Sequence, residues 1–93
     1  AQKMQADMAR IQEELARERV EGMAGGGMVK ATVNGQGDLV AVHLEKEVVN
    51  PEDTDRLEDL IVAAVGDAVR KSRDLAGERM GSVTGGMGFP GMM

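Results

Sequence analysis

Apolar and polar positions change their period along this chain, and the changes mark its elements. From residue 2 to about 18, Met4, Met8, Ile11 and Leu15 recur at helical spacing. They form the narrow apolar seam of an amphipathic helix, too short to stand alone, which must pack on a neighbour or a second subunit. From Arg19 the period drops to two, and three strands are predicted: Arg19 to Ala24, Met28 to Val33, and Leu39 to Glu45. In the second strand Val29, Ala31 and Val33 oppose Met28, Lys30 and Thr32; in the third, Val40, Val42 and Leu44 oppose Leu39, Ala41 and His43. One sheet face is therefore apolar and needs a cover, for which the two flanking helical segments are the natural candidates. Gly25-Gly26-Gly27 makes the first turn and Asn34-Gly35-Gln36-Gly37 the second. Asn-Gly between alternating runs predicts a tight hairpin in which both residues take positive φ.

Helical period then returns. Asn50 as N-cap, Pro51 at the first helical position and acids behind them predict a helix start. Its apolar stripe continues through Leu57, Leu60, Ile61, Ala64, Val65, Ala68, Val69, Leu75, Ala76 and Met80. Gly66 inside it costs about 1 kcal/mol relative to Ala; close approach of another backbone and neutrality both account for it. Gly77 and Gly81 predict an end between 77 and 81, followed by a flexible Gly- and Met-rich tail over 81–93. The reading is one α+β domain over residues 1–80, ordered helix, three-stranded antiparallel sheet, long helix.

Length makes that last helix informative. Over residues 52–80 it would measure about 43 Å, against roughly 30 Å for the diameter of a compact globule this size. A homodimer is the economical cover, with the turns from Leu75 to Met80 projecting. The expected interface is Val29, Val33, Val40, Val42, Leu60, Ile61, Val65 and Val69. Composition agrees: with Phe89 as the sole aromatic, the core is aliphatic and gains from a second subunit.

No cysteine is present, which excludes disulfides and thiolate metal sites. No apolar run approaches a membrane span and no secretory pattern appears, so a soluble, cytoplasmic protein is expected. The chain opens on Ala1 rather than Met, which leaves room for a natural start further upstream. No catalytic set, metal site or cofactor is expected. His43 has no nucleophile beside it and reads as a surface or interface residue. The triple glycine is followed by a strand and lacks the ending of a phosphate loop. The acids from Glu45 to Asp59 lack calcium-loop spacing and suit a helix start instead.

The net charge is −5, from 11 basic and 16 acidic residues, which counts against nucleic-acid binding. The distribution is uneven, however. Lys3, Arg10 and Arg17 form a stripe beside the first seam, where Asp7, Glu13 and Glu14 stand at pairing distance. That stripe reads either as a solvated, salt-bridged face or as a DNA contact. Arg70, Lys71, Arg73 and Arg79 lie toward the far end of the second helix, interleaved with Asp67, Asp74 and Glu78. Without aromatics there is no stacking platform, so any nucleic-acid contact would be to the duplex backbone and dependent on salt.

The central block EGMAGGGMVKATVNGQGDLVAVHLE, residues 21–45, resembles that of the YbaB/EbfC family of small bacterial nucleoid-associated proteins. The preceding Met- and Gln-bearing helix, the following LEDLIVAAVGDAVRKS segment and the Gly-Met tail match as well. The resemblance implies a tweezer-like homodimer whose protruding helices engage duplex DNA, located in the nucleoid, organising it and regulating genes. The implied contacts are Lys3, Arg10, Arg17, Arg70, Lys71, Arg73 and Arg79. The implied partners are duplex DNA and a second copy, with no membrane and no small-molecule substrate. The competing expectation is a dimeric protein-interaction adaptor that uses the first seam and the Met-rich tail.

Overall fold

The computed structural model describes residues 2–84. They form α1 (Gln2–Arg17), β1 (Val20–Ala24), β2 (Val29–Val33), β3 (Leu39–Leu44) and α2 (Thr54–Thr84), with 3-10 turns at Gly25–Gly27 and Lys46–Val48. The sheet is antiparallel in the order β1-β2-β3. The predicted α+β order of elements holds throughout. The molecule extends 57 × 28 × 15 Å, because α2 at about 46 Å outreaches the sheet it carries.

Period two buries one sheet face. Val29, Ala31 and Val33 are fully buried, with Gly22 beside them on β1. Ala64 and Ala68 of α2 close over them, and Val48 completes the core. Small residues allow unusually close packing: a methyl at Gly22 would fall on the Ala64 carbonyl and the Ala68 amide. The β1 backbone thus lies directly on the α2 backbone.

That contact decides what is covered. The helix α2 lies over β1 and β2 and makes few contacts with β3, while α1 packs mainly on α2 and makes few contacts with the sheet. The expectation that both helices cover the apolar face is therefore corrected. On β3, Val40 and Val42 remain 48% and 39% exposed. A register shift at Thr32/Val33 pairs Val33 with Leu39, so the alternation of β3 slips at its start.

Three local expectations also change. Asn50 does not cap α2: its side chain accepts the Glu52 N–H at 2.9 Å in a preceding turn, and Asp53 Oδ1 accepts the Arg56 N–H at 3.3 Å as the true N-cap. In the second turn no non-glycine residue has positive φ, and of its glycines only Gly37 does, at 90°. Asn34 works through its side chain, whose Oδ1 accepts the Gln36 and Asp38 amides at 2.9 and 3.0 Å. Gly35 is needed for space, since a methyl there would stand 2.7 Å from the Leu15 carbonyl, which accepts the Gly35 N–H. Finally, α2 passes Gly77 and Gly81 and continues to Thr84. Contact with α1 on its other flank offsets the glycine penalty; the rest of the expected tail, 85–93, lies outside the described residues.

The seam of α1 is used at its C-terminal end. Ile11 and Leu15 are buried, whereas Met4 is exposed. Ser72 Oγ donates to the Asn34 carbonyl at 2.9 Å, joining α2 to the β2–β3 loop. The turns from Leu75 to Met80 pass beyond the sheet, but Leu75, Ala76 and Met80 are half-buried on the side facing α1. They do not project bare.

Gly22→Ala is expected to destabilise the fold by about 1–3 kcal/mol through overpacking. Gly66→Ala, with open space around it, is expected to raise helix stability by about 1 kcal/mol. Urea unfolding followed by circular dichroism measures both.

Candidate nucleic-acid interface

The contacts of α2 with the sheet sort its cations by direction. With Ala64 and Ala68 facing the core, Arg70 and Arg73 point away from the sheet by helical spacing. Lys71 turns toward β1, where its Nζ lies 3.4 Å from the Glu21 carbonyl. Arg79 turns toward α1, with its guanidinium 2.7 Å from Glu18 and 3.9 Å from Glu14. Arg79, expected as a DNA contact, is thus an interhelix tie, half-buried and occupied.

Asp67 holds the next two cations. Its Oδ1 receives Arg70 at 2.7 Å and its Oδ2 lies 3.2 Å from Lys71 Nζ. The same carboxylate accepts the Met23 N–H of β1 at 3.2 Å. Asp67 therefore neutralises part of the basic patch and covers an outward amide of an edge strand. The helical spacing of these charges was legible in the sequence; the strand amide that anchors them was not, because it belongs to a residue far away along the chain.

Arg73 has no ion-pair partner among the described residues. It stands beside a recess of about 360 Å³ between α1, the β2–β3 loop and α2, walled by Leu15, Val69, Ala76 and Met80. Gln36 Nε2 donates across that recess to the Gln12 carbonyl at 3.1 Å.

On α1, Arg10 lies 3.5 Å from both Asp7 and Glu14. Glu14 is shared between Arg10 and Arg79, and neither it nor Glu13 pairs with Arg17. Lys3 and Arg17 are exposed and without ion pairs among the described residues. The stripe is thus mixed, with its middle member neutralised and its ends open. Such exposed pairs contribute at most about 1 kcal/mol each, so a phosphate can displace them.

An apolar flank adjoins this surface. Leu60 meets Gly25, Asp67 meets Met23 and Lys71 meets Glu21, which places all three on the β1 side of α2. At about 100° per residue, Val62, Val65 and Val69 fall on the other flank, beside uncovered Val40 and Val42 of β3. Val62 is 72% exposed. Of the residues expected at an interface, Val29 and Val33 are wholly enclosed in their own core and leave no surface for a partner. Leu60, Ile61, Val65 and Val69 are half-buried, and Gly66 has open space around it.

No group of His, Asp and Glu able to hold a metal ion occurs among the described residues. No described helix is long and apolar enough to cross a membrane. His43 is exposed, 3.0 Å from Glu45.

Residues 1–87 match the YbaB/EbfC DNA-binding family. A nucleoid-associated protein of Syntrophobacter fumaroxidans is 51% identical over 96% of this chain and 81% of its own length. One from Streptomyces avermitilis is 52% identical over 99% and 84%, and one from Desulfotalea psychrophila is 46% identical over 97% and 85%. The crystal structure of the uncharacterized protein HP0035 from Helicobacter pylori shares the fold, with a TM-score of 0.75 and 21% identity over 94% of this chain and 88% of that one.

The Asp67 carboxyl is held below its ordinary value of 3.8, first by the Met23 amide and then by Lys71 and Arg70. A carboxylate whose pKa falls on folding stabilises the fold fully above the unfolded value, and that contribution disappears as pH drops through the folded one. Asp67→Asn is thus expected to be less stable than the wild type at neutral pH and to converge with it well below pH 3.8. Acid denaturation followed by circular dichroism checks this.

Proposed function

This chain belongs to the YbaB/EbfC DNA-binding family, and on that premise we propose that it binds duplex DNA as a homodimer through Lys and Arg contacts to the phosphate backbone. Its place is the nucleoid, where it organises DNA and regulates genes; the names of its relatives support that setting. The observation that carries the DNA reading is the outward direction of Arg70 and Arg73 on a helix longer than its sheet. Lys71, Arg17 and Lys3 supplement them, and Arg10 contributes once its acids are displaced.

The contact is to phosphate rather than to bases. The described residues include no Phe, Tyr or Trp ring on which a base could stack. Two cations per subunit in a dimer would release about four counterions, giving a salt slope of about −3 to −4.

The dimer forms over the flank of Val40, Val42, Val62, Val65 and Val69, bordered by Ile61. Val40, Val42 and Val62 are exposed in the single chain, and Val65 and Val69 are half-buried.

Fluorescence anisotropy with labelled duplex across a salt series tests the DNA reading. Binding is expected to weaken steeply with salt and to depend little on sequence. Arg70→Glu with Arg73→Glu is expected to abolish it while the dimer persists. Binding unchanged in that variant would remove these residues from the interface. No binding by the wild type at low salt would favour the adaptor reading, with the apolar flank as the working surface.

Val40→Glu with Val42→Glu is expected to give a folded monomer by light scattering at micromolar concentration. A dimer mass retained in that variant would place the interface elsewhere.

A further inference from the structure

We propose that Asp67 is a fixed internal counter-ion that competes with DNA phosphate for Arg70 and Lys71, and that it thereby limits the affinity of this surface. The inference rests on the DNA-binding reading above.

An ordinary exposed pair at helical spacing opens freely, because both side chains are mobile and well solvated. Asp67 differs in one respect. Oδ1 holds Arg70 at 2.7 Å, while Oδ2 meets Lys71 Nζ at 3.2 Å and also accepts the Met23 N–H at 3.2 Å. The side chain is only 23% exposed. The carboxylate therefore cannot swing away when a phosphate arrives.

A phosphate meeting Arg70 or Lys71 must displace that carboxylate from its cations, and it then remains beside a negative charge. Both effects reduce the gain from contact. The lowered pKa of Asp67 keeps it charged at every pH at which DNA binding would occur. Its anchor also explains why the charge is structural: the Met23 amide faces outward on edge strand β1 and would otherwise be open to another strand.

Asp74 supplies the control. It lies one heptad further along α2, exposed and without an ion pair among the described residues. Asp67→Asn and Asp74→Asn each remove one negative charge from the same helix. Asp67→Asn also keeps a carbonyl oxygen to accept the Met23 N–H, and circular dichroism checks that it remains folded.

The experiment is duplex anisotropy across a salt series on the full chain and both variants. Asp67→Asn is expected to tighten binding about fivefold at low salt, the effect of removing one unit charge about 4 Å from a phosphate. Its salt slope is expected to steepen by roughly one charge per subunit as freed cations reach phosphates. Asp74→Asn is expected to shift affinity less and to leave the slope unchanged. Equal shifts in both variants would overturn the inference, since net charge alone would then explain them. Unchanged or weaker binding by folded Asp67→Asn would overturn it as well, with DNA binding left intact. No binding by any of the three proteins at low salt would reject the DNA reading and the counter-ion role with it. Binding by Asp67→Asn but not by the wild type would support the counter-ion role at its strongest.

Discussion

The rest of this structure depends on how closely β1 lies against α2. Gly22 meets the helix backbone at Ala64 and Ala68, a distance that no side chain at position 22 would permit. Such an approach raises the number of dispersion contacts per atom in a core without aromatics. It also fixes the lateral position of α2. Drawn onto β1, the helix covers β1 and β2 and makes few contacts with β3. Leu39, Val40 and Val42 of β3 stay in solvent until something else covers them.

The same contact organises the charges. With the two backbones this close, side chains one turn along α2 reach the outward edge of β1. Asp67 takes the Met23 amide and Lys71 approaches the Glu21 carbonyl. The free edge of β1 is thereby occupied, and the basic patch gains a fixed negative charge in its midst. One geometric fact produces a protected edge, an exposed apolar flank and a tempered cationic surface. For an acidic chain in a DNA-binding family, tempered attraction suits weak, salt-sensitive and sequence-tolerant contact.

A second contact orients α1. Gly35 admits the Leu15 carbonyl at hydrogen-bonding distance, and Ser72 ties the same loop to α2. Arg79 joins α2 to Glu18 and Glu14. These links hold α1 beside the far turns of α2, so the part of the molecule beyond the sheet is a helix pair.

Local rules were sufficient for what depends on neighbours along the chain. The period-two runs gave β1, β2 and β3 to within a residue, and the helical stripes gave α1 and the body of α2, because side-chain alternation and the 3.6-residue turn are properties of the backbone itself. Family membership was legible in the order of the blocks around the triple glycine. The sequence showed that Asp67 stands three and four residues from Arg70 and Lys71. It did not show that Asp53 and not Asn50 caps α2, since both are good caps and only the path of the chain chooses between them. Nor did it show that Gly22 is a contact point, that Val29 and Val33 lie inside while Val40 and Val42 lie outside, or that Arg79 is spent on α1. Those outcomes were decided by where α2 rests on the sheet, and that position is set by packing between residues some forty apart in sequence, as Met23 and Asp67 are.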